Sequence, residues 1–169
     1  MTAANDPTDY HASAAAHHLE AARFHREASR SYQIGKDCGH AADQAVTAHG
    51  HALRALEHAQ LASACYAEYE GSPLPGYLAR SSDKLTSKAL ALPISLSGSG
   101  HHAAAAGHHD AAERHHVQAG THSGADHYVR ACHETRNALD HGKHALFHGD
   151  QAAMHHMEHY GSHPSAELV

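Results

Sequence analysis

Histidine accounts for 24 of the 169 residues, and most of the imidazoles recur at intervals of seven. His11, His18 and His25 form one such series, and His51 and His58 form a second that continues to Cys65. His101, His108, His115 and His122 make a third, and His141, His148 and His155 a fourth. Seven residues are close to two turns of an α-helix, so each series is one stripe on one helix face. A neutral imidazole offers a lone pair to a transition metal, and stripes of them suit the binding of several ions. His40 joins the second stripe, and His127, His144 and His159 join the fourth. His144 with His148, and His155 with His159, are i, i+4 pairs able to share one ion. His102, His109 and His116 run about a quarter turn from the third stripe. They are either an outer face or, as a second wall of the same site, additional metal ligands.

The small residues beside the stripes point them inward. Ala14, Ala15, Ala21, Ala22 and Ala28 flank the first series, while Arg23, Arg26 and Arg30 lie mostly elsewhere. A dozen buried imidazoles among alanines have few carboxylates or hydroxyls to accept their N–H groups, and each unsatisfied polar group costs about 1–3 kcal/mol. Metal ions resolve that cost. Single histidines on an apolar face are more often hydrogen-bonded core residues, but that account does not extend to whole columns. Weaker signals surround them. Cys65 is an added soft ligand or a structural thiol, and Cys38 and Cys132 read as structural. Met154 and Met157 are a thioether site for Cu(I) or plain packing. Tyr66, Tyr69 and Tyr160 plug the ends, and Glu134 accepts an imidazole N–H or pairs with Arg130.

Four amphipathic helices must carry these stripes. The first is expected from a cap at Thr8 or Asp9 to about Tyr32, the second from a cap at Asp37 to Glu70, the third over 101–121 and the fourth over 125–160, with a break near Gly120 to Gly124. An offset of 90 brings His11, His18, His25, His51 and His58 onto His101, His108, His115, His141 and His148 without a gap, which reads as duplication of a helical hairpin. The expected fold is therefore all-α, a four-helix bundle of two tandem duplicated hairpins, 8–70 and 101–161. A connector, 71–100, carries Pro73, Pro75, Pro93 and Gly98, and Leu78, Leu85 and Leu90 are expected to form a short extra helix. Duplication favours a monomer over a hairpin-swapped dimer.

Composition excludes several classes. The formal charge of −6 disfavours nucleic acid. The chain has no apolar run of membrane-spanning length and no basic, apolar leader at its start, so the protein reads as soluble and cytoplasmic. Three cysteines without a CxxC argue against a disulfide framework. Enzymatic di-iron chemistry needs several Glu-x-x-His pairs, and only Glu113 with His116 has that spacing. No enzyme activity is expected.

Stretches such as His17-His18-Leu19-Glu20-Ala21-Ala22-Arg23-Phe24-His25 and His49-Gly50-His51 through Leu56-Glu57-His58 resemble small His-rich helical proteins of many bacteria. The resemblance covers 11–70 and 101–161. In architecture the chain is also similar to bacterial copper storage proteins, four-helix bundles whose core cysteines load many Cu(I) ions. With three Cys and no CxxxC, only the ligand-lined bundle carries over, with His in place of thiolate. The resulting expectation is transition-metal storage or buffering by core histidines, copper first, with zinc, nickel and cobalt as alternatives. Two other readings stay open, a pH-responsive or structural bundle without metal and a bis-His haem bundle.

Overall fold

Asp6 opens the first helix by accepting the backbone N–H of Thr8 at 2.9 Å, taking the capping role expected of Thr8 or Asp9. The helix α1 then spans Pro7–Ile34 in a computed structural model that describes residues 6–34, 38–70 and 96–160. α2 spans Cys38–Ala64, α3 Gly98–Gly124 and α4 Tyr128–Tyr160. These four helices form an all-α four-helix bundle. Among the described residues no helix is long and apolar enough to cross a membrane.

Several boundaries differ from expectation for local reasons. α2 ends at Ala64, because Cys65 and Tyr66 bond back to the carbonyls of Ala62 and Ser63 and tighten the chain into a 3-10 turn over Ala67–Tyr69. That turn carries Tyr66 into the bundle, where it is 1% exposed. α3 starts three residues early on the Ser97 side chain, which accepts from the N–H of Gly100 at 3.2 Å. It also runs straight through Gly120, which packs against His11. The cap at Asp37 and the short helix around Leu78, Leu85 and Leu90 fall outside the described residues.

Packing is dominated by alanine. Ala14, Ala21 and Ala28 on α1, Ala41, Ala48, Ala55 and Ala62 on α2, Ala112 and Ala119 on α3, and Ala131, Ala138, Ala145 and Ala152 on α4 are fully buried. Methyl-sized contacts let backbones approach closely and leave the imidazoles as the bulky groups of the interior. α1 packs closely on α2 and α3, α3 on α4, and α2 and α4 close the square more loosely. The rung partners below make every neighbouring pair antiparallel, with α2 and α3 running the same way. Glu70 and Leu96 therefore lie toward opposite ends of the bundle.

Candidate metal centre

Neighbouring residues on a helix point about 100° apart, so a His-His doublet serves two faces at once. α3 has three doublets, His101-His102, His108-His109 and His115-His116. The second member of each faces α1 and the first faces α4. The expectation of one shared interior is thereby corrected, because the stripes meet in three separate seams between helices.

The α1–α3 seam is the most enclosed. Nδ1 of His11 lies 3.2 Å from Nδ1 of His116, His18 and His109 meet at 3.0 Å, and His25 and His102 at 3.1 Å. Successive rungs stack, with His18 on His116 and His25 on His109 at centroid separations of 5.5 Å and near-parallel planes. Tyr66 closes one end, stacked on His11 with its hydroxyl 3.0 Å from His11 Nε2. Tyr32 covers His102 at the other, 5.4 Å between centroids. The six rings are all buried, so the line His102, His109 and His116 is an inner wall and the outer alternative is overturned.

Burial, seconded by imidazole neighbours in most cases, pushes the column's pKa values far down. His11, His18 and His102 fall to about 4, His25 to about 3, and His109 and His116 to about 2. All six are neutral at pH 7 and keep a lone pair. No Asp or Glu is buried among the described residues. Each rung holds one hydrogen bond, in which one Nδ1–H donates to a bare Nδ1. The Nε2 atoms of His18, His109 and His116 are left buried without a partner. Glycines on α4 make room for these ring edges: a Cβ at Gly142 would stand 3.3 Å from His18 Cε1, and one at Gly149 3.4 Å from His25 Cε1.

The α3–α4 seam repeats the pattern half exposed. His101 pairs with His148 at 3.0 Å, His108 with His141 at 3.1 Å, and His115 Nδ1 lies 2.7 Å from Glu134 Oε2. Of the two roles expected for Glu134, this contact matches the imidazole partner. His144 packs 5.2 Å from His108, His155 5.4 Å from His101, and His122 faces His127 at 6.1 Å. Burial, then His141, His144 and His148, lower His108 to about 4; burial foremost also lowers His101, His141 and His148. The α1–α2 seam is shorter. His17 and His51 meet at 3.1 Å, His58 stacks on His17, and Tyr10 and Phe24 flank the group.

His17 escaped the heptad reading because it lies one residue off the stripe; the His17-His18 doublet, matched by His108-His109, was the available signal. His156, bonded to the Tyr32 hydroxyl, was also off the stripe. Other candidates stand apart from the seams. His40 is exposed near Gln44, His127 is exposed in the α3–α4 turn, and Cys65 is exposed past the end of α2 with its thiol donating to the Leu61 carbonyl. The side chain of His159 lies outside the described residues. Among the described residues no group of three or more His, Cys, Asp or Glu converges as a metal site, and the donors meet in pairs. No protein-family model, curated protein or solved structure matches the chain.

Proposed function

We propose that this protein stores or buffers transition-metal ions in its interhelical histidine seams, with copper as the principal cargo. The observation that carries the reading is the sealed α1–α3 column: six neutral imidazoles in Nδ1 pairs, three of them with an orphaned ring nitrogen. The orphans alone cost about 3–9 kcal/mol at about 1–3 kcal/mol each. A fold needing only a core would fill these positions with Leu. Coordinate bonds at Nδ1 leave those Nε2 atoms unpaired but are strong enough to outweigh their cost, and metal binding then contributes to folding stability.

The seams suit different ions. A dry, carboxylate-free column with two donors per rung favours a monovalent ion content with two ligands, which is Cu(I). With metal–nitrogen bonds of about 2.0 Å, linear coordination needs donors about 4 Å apart, so each rung opens by under about 1 Å on loading. The half-exposed α3–α4 seam, with Glu134 and access to water, suits a divalent ion such as Zn(II), Cu(II), Ni(II) or Co(II). The matching of His17–His51 with His108–His141 supports a duplicated hairpin, in which the offset is 91 between α1 and α3 and 90 between α2 and α4. In this reading the chain is a cytoplasmic monomer whose partners are metal ions, without catalytic activity.

The test is elemental analysis of untagged protein purified without chelator or metal-affinity resin, then Cu(I) titration of the metal-free form against a competing chelator. At least three tight equivalents are expected, one per α1–α3 rung. Replacing His11, His18 and His25 by Ala, one from each rung, should remove them stepwise. One weak equivalent or none would overturn the proposal and leave the acid-sensitive structural bundle as the better account.

A further inference from the structure

An imidazole that coordinates through one nitrogen carries an N–H on the other, and the group that accepts this N–H orients the ring and strengthens it as a ligand. In the α1–α3 column the Nδ1 atoms face each other across each rung, so an ion held between them leaves both N–H groups at Nε2. The rungs differ there. His11 Nε2 lies 3.0 Å from the Tyr66 hydroxyl and 3.5 Å from Thr135 Oγ1, and both residues are only 1% exposed. Among the described residues, Nε2 of His18 and of His109 is buried with no partner. A line on α4 explains the contrast. Thr135, Gly142 and Gly149 follow at intervals of seven, as do His11, His18 and His25, and each stands against its own imidazole. A Cβ at Gly142 would lie 3.6 Å from His18 Nε2, and one at Gly149 3.6 Å from His25 Nε2. Only Thr135 on this line carries a hydroxyl. That hydroxyl already donates to the Ala131 carbonyl at 2.7 Å, so toward His11 its oxygen can only accept. Tyr66 is fixed in turn by a hydrogen bond with the Ser123 side chain and by packing on Ala131 and Cys132.

We propose that Tyr66, seconded by Thr135, is a positioning residue for Cu(I), accepting the Nε2–H of His11 and so making the His11–His116 rung a tighter site than His18–His109. The proposal rests on the storage reading above. Two effects favour the first rung. The oxygens hold the His11 proton on Nε2, which leaves Nδ1 bare and the ring aimed for coordination. Cu(I) on Nδ1 then draws charge from the ring and makes the N–H a stronger donor. The acceptor therefore contributes more to the loaded rung than to the metal-free one, because hydrogen bonds strengthen as their donor gains positive charge. In the His18–His109 rung the same charge falls on two buried N–H groups that no oxygen accepts. The difference expected is about tenfold in affinity, and the His11–His116 rung fills first.

The experiment measures Cu(I) dissociation constants by competition with a chromophoric chelator, in variants of the full chain that keep one of these two rungs. His18→Ala/His25→Ala keeps His11–His116, and His11→Ala/His25→Ala keeps His18–His109. The first should bind about tenfold more tightly. Adding Tyr66→Phe/Thr135→Val should remove that advantage and leave the second unchanged, whereas a general loosening of the bundle would weaken both. Tyr32→Phe, which removes the hydroxyl at the opposite end of the column, should alter neither. Nitrogen-15 NMR of the imidazoles in the metal-free wild-type chain should place the His11 proton on Nε2, a readout that depends on no variant. Equal affinities of the two rungs, equal weakening of both, or a His11 proton on Nδ1 would overturn the role of Tyr66 while leaving storage intact. Absence of Cu(I) uptake by the wild-type chain would overturn storage itself, and this proposal with it.

Discussion

Acidification of the metal-free protein is the most demanding test of the sealed column. Its six imidazoles titrate at about 2 to 4 when folded, against 6.5 in the unfolded chain. Between those limits the unfolded state binds more protons, so stability falls as pH falls. One group contributes about 1.4 kcal/mol per pH unit well below 6.5, and six together about 8 kcal/mol. Integrated through the unfolded pKa, the loss is about 4 kcal/mol from pH 7 to 6 and about 7 more from 6 to 5. For a domain of ordinary stability, about 5–15 kcal/mol, a midpoint of about pH 4.5 to 6 follows. Circular dichroism at 222 nm against pH reads it directly. Cu(I)-loaded protein should hold its helicity to lower pH, because coordinated nitrogens resist protonation until the ion leaves. The double variant His109→Leu/His116→Leu should flatten the slope from six protons to four. A metal-free protein still fully helical at pH 4.5 would refute the burial and neutrality argued for the column.

Helical glycines separate by what surrounds them. Gly50→Ala and Gly107→Ala, where an added Cβ meets nothing within 4 Å, should each stabilise by about 1 kcal/mol and raise Tm by about 2–4 °C. Gly142→Ala should lose that gain, since its Cβ would stand 2.8 Å from Leu56 Cδ2 and 3.3 Å from His18 Cε1; a Tm rise equal to the other two would count against a tight fit at His18. Tyr66→Phe leaves the hydrogen bond between the hydroxyl and His11 Nε2 unmade and should cost about 1–2 kcal/mol in a denaturant melt. Glu134→Gln should weaken Zn(II) binding in the α3–α4 seam about tenfold while leaving the Cu(I) stoichiometry of the α1–α3 seam unchanged. Competition titrations with each ion check it.

The sequence by itself determined four helices, the small-residue faces and the heptad stripes, because the period of seven and the alanines at i+3 and i+4 are local properties of one helix. It did not determine which stripes meet. The 90-residue offset sets His11 on His101, yet the tertiary structure gives His11 the seam facing α3 and His101 the seam facing α4. A stripe fixes a direction only about its own axis. Which neighbour stands in that direction depends on the order of helices around the bundle and on their register. The doublets on α3 illustrate the reason: two adjacent imidazoles, about 100° apart, can both be buried only on a helix flanked on two sides. Placing α3 between α1 and α4 made one line the sealed column and the other the half-exposed seam. That difference in burial, set by packing alone, decides which imidazoles are closed off from water and which face it.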